Sequence, residues 1–217
     1  MTTTTTPRTD GDRFVLRDVS WERYVALRDD PSQMRVRMTY FHGVLELMSP
    51  SGPHERINRL LEHFLFAWCE VQSIPVASYG STTYRHEMQE AGLEPDSCYY
   101  IEHEAEMRNR EEVDLRIDPP PDLAIEVDIR AKSVGRLPIY AALGVPEVWR
   151  TNGEWLKLYL LVDGAYAEAD SSRVLPEFPL NSVLERLARR TEEDEITLIR
   201  EFRTWAAAQK PSAGSDA

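Results

Sequence analysis

Three acids stand where they could do chemistry. Glu126 and Asp128 ride on the run Pro119-Pro120-Pro121-Asp122-Leu123-Ala124-Ile125-Glu126-Val127-Asp128-Ile129, and Asp96 follows Pro95 upstream. In an extended strand, alternation puts Leu123, Ile125, Val127 and Ile129 on one face and Ala124, Glu126 and Asp128 on the other. Same-face neighbours lie roughly 6.5–7 Å apart, since each residue rises about 3.3 Å. Two carboxylates at that spacing repel unless a cation or a proton lies near them. A divalent metal answers that need. The prolines cannot join a ladder and mark where the strand begins. A polar loop, 87–92, leads into the stretch 93–101, where Asp96 opens a strand behind a proline. The charged stretch 102–113 beyond it reads as an exposed loop or short helix. Asp96 therefore belongs at the mouth of a neighbouring strand, from which its oxygens and those of Glu126 could converge.

The donor set favours a hard cation. Mg²⁺, or Mn²⁺, takes carboxylates and keeps several waters. No His/Cys cluster has zinc spacing. A metal held this way makes bound water more acidic and stabilises charge growing on a phosphate. Arg130, Lys132 and Arg136 follow the acids within seven residues. They are either phosphate-binding groups or an ordinary solvated loop. Asp128 is either a ligand or the ion-pair partner of Arg130 or Arg136. Glu46, in Val44-Leu45-Glu46-Leu47-Met48, sits on a solvated face or joins the metal site. His54, one turn before Ile57 at a helix start, is either a packing residue or a site member.

These residues need a scaffold, and the rest of the chain supplies one. At 217 residues and 25.0 kDa, a single domain over 13–208 is expected, with polar tails at 1–12 and 209–217. Ser20 suits a helix start, and Val36–Phe41 with Val44–Met48 around His42-Gly43 reads as a hairpin. Ile57, Leu60, Leu61, Phe64, Leu65 and Trp68 form a helical stripe within 54–71. Strands are expected within 76–85, 93–101, 145–151, 155–162 and 165–169. Helices are expected at 133–143, closed by Gly144, and at about 180–190 and 195–208. Leu184, Leu187, Ile196, Ile199, Phe202 and Trp205 either close the core or pair two copies as a homodimer. Tyr99, Tyr100 and Trp149 read as core residues.

Composition restricts the partners. The net charge of −12 argues against passive nucleic-acid binding, which feeds on excess Lys and Arg, but leaves room for a local basic groove. No apolar run approaches the roughly 20 residues of a membrane span, and the threonine-rich start is no secretory signal. Cys69 and Cys98 read as buried thiols of a cytoplasmic protein rather than a disulfide.

At Pro95-Asp96 and Glu126-Val127-Asp128 the sequence resembles the PD-(D/E)XK nuclease signature. The longer text is similar to the Uma-two family of restriction-endonuclease-like proteins, found mainly in bacteria. The resemblance runs through Tyr40–Pro53, Gly80-Ser81-Thr82-Thr83, Gly92-Leu93-Glu94-Pro95-Asp96 and Asp122–Trp149. Its most specific part is Pro138-Ile139-Tyr140-Ala141-Ala142-Leu143-Gly144-Val145-Pro146-Glu147-Val148-Trp149. The resemblance implies an α/β (α+β) fold, a restriction-endonuclease-like mixed β-sheet core flanked by helices. It implies Asp96 and Glu126 as metal ligands in a Mg²⁺-dependent endonuclease acting on DNA. The third motif residue falls at Asp128, where the motif has lysine. The basic group then comes from the following helix, at Arg136. Arginine stays protonated, so Arg136 would stabilise a transition state rather than act as a base. Water activation would fall to the metal, helped by Asp128 or His54. The alternative is a catalytically silent nuclease fold serving as a binding or regulatory module.

Overall fold

The computed structural model describes residues 13–33, 36–129 and 135–209. Arg130 and Lys132 of the basic trio, and both tails apart from Gln209, lie outside the described residues. Two sheets are built. The first is antiparallel, in the order β1-β3-β2-β6-β5, with β1 Arg13–Leu16, β2 Arg37–Phe41, β3 Val44–Met48, β5 Tyr84–His86 and β6 Ala91–Leu93. The second runs β11-β10-β9-β8-β7-β4, with β4 Ala77–Ser78, β7 Ser97–Tyr100, β8 Leu123–Val127, β9 Glu147–Thr151, β10 Leu156–Val162 and β11 Ala165–Ala169. Its β8–β9 pair is parallel and the rest antiparallel, which makes it the mixed sheet that was expected. The N-terminal hairpin is more than an appendage: β1, β5 and β6 extend it into a sheet of its own. Strand β1 carries four residues with two exposed apolar side chains, Phe14 and Leu16, a pattern too short and too wet to read from sequence.

Local chemistry explains the element ends. Helix α1 (Trp21–Arg28) starts at Ser20, whose hydroxyl accepts from the Arg23 amide at 3.4 Å. His42 and Gly43 both adopt positive φ, +44° and +81°, as a two-residue hairpin of this hand requires. Helix α2 (Gly52–Gln72) is capped by Ser51 and carries Pro53 in its first turn, where a missing N–H costs nothing. A short α3 spans Glu104–Met107, α4 spans Arg136–Ala142, and Gly144 at φ +76° ends the turn after it.

Strand β8 has both faces covered. Leu123 and Ile125 pack with Leu60, Leu61, Phe64 and Leu65 of α2, while Ala124 packs with Ile139 and Tyr140 of α4. Each such buried apolar side chain contributes about 1.5–3 kcal/mol. That anchoring lets α2 carry polar His54 and Asn58 on the same buried stripe. Helices α5 (Leu180–Ala188) and α6 (Glu195–Gln209) close the same core: Leu187, Leu198 and Phe202 are fully buried, so these residues are spent inside the chain. Tyr99, Tyr100 and Trp149 are likewise core residues. Cys69 and Cys98 are free buried thiols, each pushed up to about 12 by burial. Among the described residues, no helix is long and apolar enough to cross a membrane.

Candidate metal-dependent nuclease site

Asp96 continues the β7 ladder by one residue, its amide donating to Ile125 O at 3.2 Å. Ser97 faces Ile125 in antiparallel register, which sets Asp96 directly opposite Glu126. The pairing therefore makes the two acids backbone neighbours on adjacent strands. The Asp96 carboxylate is 1% exposed. Its Oδ2 accepts the Val127 amide at 2.7 Å and lies 3.1 Å from His54 Nε2, and its Oδ1 accepts from Arg37 Nη1. Asn58, one turn after His54, donates from Nδ2 to Asp96 O at 3.1 Å and to Ser97 Oγ at 3.0 Å, tying the helix to the strand mouth.

Glu126 is 1% exposed and faces α4. Arg136 Nη1 lies 2.7 Å from Oε1 and 2.9 Å from Oε2, and donates to Glu94 O at 3.2 Å. The Tyr140 hydroxyl donates to the same Oε1. Arg136 and Tyr140 are four residues apart, so one face of α4 delivers both. Burial works against the Arg136 charge, but the Glu126 and Asp96 carboxylates outweigh it and raise its pKa. Burial and the Glu126 charge push Tyr140 well above the usual phenol range.

Burial also opposes protonation of His54, yet its hydrogen bond to Asp96 and its closeness to Glu55 win, raising it to about 9. Its Nε2 is turned toward Asp96. Arg37 joins the cluster from β2 and also donates from Nη2 to Glu55 Oε1 at 2.9 Å. Glu55 lies in the first turn of α2. It is half-buried, and its pKa is lowered by His54 and by Arg37.

The other predicted residues have described partners of their own. Asp128 lies one residue past β8, and its Oδ2 accepts from Arg150 Nε at 2.7 Å. Its described ion-pair partner is thus on β9, not Arg136. Glu46 is buried beside Arg13, 3.7 Å from its Nε, on the face of the first sheet that also carries Thr39 and Arg37. Glu46 pairs with Thr39, so Arg37 is its diagonal neighbour, about 7–8 Å away in backbone spacing. Glu46 is therefore not on a solvated face. Among the described residues no three His, Cys, Asp or Glu side chains lie together as a metal cage. Asp96, Glu126, Asp128 and Glu46 are each matched to a base among the described residues.

The donor chemistry of the pair is of the kind a hard divalent ion takes. Asp96 and Glu126 offer hard oxygens from facing strand positions, and each already holds a guanidinium nitrogen as a stand-in cation. Reading the sequence missed Arg37, Glu55, Asn58, Tyr140 and Arg150. Tyr140 was discoverable from its four-residue spacing to Arg136, and Asn58 as a polar residue on an apolar stripe. Nothing in the local sequence marks Arg37.

The chain aligns with a solved structure, titled a putative nuclease belonging to DUF820, from Anabaena variabilis ATCC 29413. Identity is 14% and the TM-score 0.50, over 87% of this chain and 99% of that one. A similarity this distant shows the fold alone. No curated protein matches the chain. The family model "Uma2: Putative restriction endonuclease" matches residues 21–191, which spans every site element described here from Arg37 to Tyr140. The chain belongs to the Uma2 family.

Proposed function

We propose that this chain is a Mg²⁺- or Mn²⁺-dependent endonuclease that hydrolyses DNA phosphodiester bonds, acting in the bacterial cytoplasm. The observation that carries the reading is the opposition of two buried carboxylates, Asp96 and Glu126, on paired strands with arginines on both. Asp96 and Glu126 would hold the metal. When bound, it would supply a Lewis acid for the phosphate and a more acidic water.

The chain's own residues do the rest. Arg136 and Tyr140 hold the Glu126 carboxylate in one orientation, His54 and the Val127 amide do the same for that of Asp96, and Asn58 ties the Asp96 main chain to α2. Always protonated, Arg136 stabilises negative charge growing on the phosphoryl oxygens and takes no proton. Attack by water oxygen on phosphorus forms one P–O bond, and the bond to the departing sugar oxygen breaks. With the chain at −12, DNA affinity depends on local cations such as Arg37, Arg13 and Arg150, and falls with salt.

The test is cleavage of plasmid and linear DNA in Mg²⁺ or Mn²⁺ against a chelator control, with Asp96→Asn and Glu126→Gln alongside. Loss of cutting in both variants supports the proposal, and cutting that survives both substitutions sinks it. A second reading, a binding module without catalysis, draws on the full engagement of both acids by Arg37, His54, Arg136 and Tyr140. DNA binding without any cleavage would decide for it.

A further inference from the structure

Arg37 stands on Asp96 where a metal would stand, and it has somewhere else to go. Its guanidinium spans two carboxylates from separate elements, Asp96 Oδ1 on the inside and Glu55 Oε1, 2.9 Å from Nη2, on the outside. The side chains grade from core to rim: Asp96 is 1% exposed, Arg37 13% and Glu55 34%. The other donors to Asp96 cannot leave so easily. Val127 N–H is main chain of β8, and His54 is enclosed in the first turn of α2 at 8% exposure. Either could withdraw only by moving a packed element. Arg37 needs only side-chain rotation, and it keeps an ion pair at Glu55 when it moves.

Resting on the metal-site reading above, we propose that Arg37 is a built-in counter-cation of Asp96. It competes with a divalent ion for Oδ1 and retires to Glu55 when that ion binds. Burying a carboxylate without enough positive charge is costly, and in the empty site Arg37 and His54 together balance Asp96 and Glu55. Two cations cannot share one oxygen without strong repulsion. The ion therefore binds only the fraction of molecules in which Arg37 has left, and its apparent affinity falls by that fraction. Occupancy of Asp96 by Arg37 in about 90–99% of molecules weakens the metal roughly 10–100-fold. Arg37 is thus a positioning residue that sets the metal threshold. Once swung outward, it stands at the rim where a phosphodiester enters.

The experiment is a Mn²⁺ titration of the full chain, followed by loss of the free-ion electron paramagnetic resonance signal, with no nucleic acid present. Arg37→Met is expected to bind Mn²⁺ about 10-fold or more tightly than the parent chain, and Asp96→Asn added to it should abolish the gain. Arg37→Lys, which keeps the charge but loses the two-pronged span, should fall between. Should Arg37→Met fail to fold, the lysine variant carries the test, with any gain over the parent as the supporting result. Parent binding that Asp96→Asn removes, but that neither Arg37 variant tightens, overturns the competition and leaves the metal site standing. Absence of any Asp96-dependent Mn²⁺ binding in the parent and in both Arg37 variants overturns the competition together with the site reading.

Discussion

The second sheet holds two kinds of buried acid. Glu147 and Asp122 are 0% exposed, as deep as Asp96 and Glu126. Their partners differ. Glu147 accepts from the Arg173 amide at 2.8 Å, the Val174 amide at 3.3 Å and Trp149 Nε1 at 2.5 Å. Asp122 takes the amides of Ile101 at 2.7 Å and His103 at 3.0 Å, with His103 Nδ1 at 2.6 Å from its other oxygen. These acids are locked largely by main-chain donors that cannot move without unfolding a loop. Asp96 and Glu126 are held largely by side chains: Arg37, His54, Arg136 and Tyr140. Main-chain donors make a clamp. Side-chain cations make a site whose occupants can be exchanged.

Four tests probe that contrast, the largest effect first. Asp96→Asn and Glu126→Gln should each lower DNA cleavage by about 10²–10³-fold, as removal of a main electrostatic element does, while far-ultraviolet circular dichroism stays unchanged. Glu147→Gln should do the reverse. It should cost about 2–3 kcal/mol in denaturant unfolding, because amide N–H groups then face an NH₂, and leave Mn²⁺ binding unaltered. Equal loss of metal binding in Glu147→Gln and Glu126→Gln would break the comparison.

The third test uses pH. His54 is raised to about 9 in the folded chain by Asp96 and Glu55, with Arg37 opposing, against an ordinary value near 6.5. A raised folded value stabilises the protein fully below about pH 6.5, and the contribution is lost as pH rises through about 9. In chelator, unfolding free energy should fall by on the order of 2 kcal/mol across that window, and His54→Gln should flatten the decline. The smallest effect is expected from Arg136→Lys. Lysine keeps the charge on Glu126 but reaches Glu126 and Glu94 O less well, costing about 1 kcal/mol in chemical denaturation. Arg136→Met, which strands Glu126, should cost about 3–5 kcal/mol.

Local pattern carried the elements a long way. Helices α2, α5 and α6, the two-residue turns at His42-Gly43 and Asp163-Gly164, and the two-faced β8 follow from spacing and turn residues alone. The placing of Asp96 and Glu126 on neighbouring strands was also expected, whereas the antiparallel register that sets them opposite each other is a matter of tertiary structure. The first sheet was not legible as a sheet. Its strands β5 and β6 hold three residues each, and β6 contains Gly92, where an added Cβ would come within 2.3 Å of the Tyr24 hydroxyl. Glycine there reflects the close approach of α1, which strand propensity does not register.

Residue type and order, then, determined that a pair of acids would be buried side by side and would need positive charge. Which positive charge they found was a matter of tertiary structure alone. Arg37 reaches Asp96 across 59 positions of sequence, Glu55 reaches Arg37 across 18, and Arg150 rather than Arg136 meets Asp128 across 22. Hydrophobic periodicity records what one element buries. It carries no information on which long, flexible cation from another element will lie over a given carboxylate, because that depends on how two sheets and a helix end dock in space.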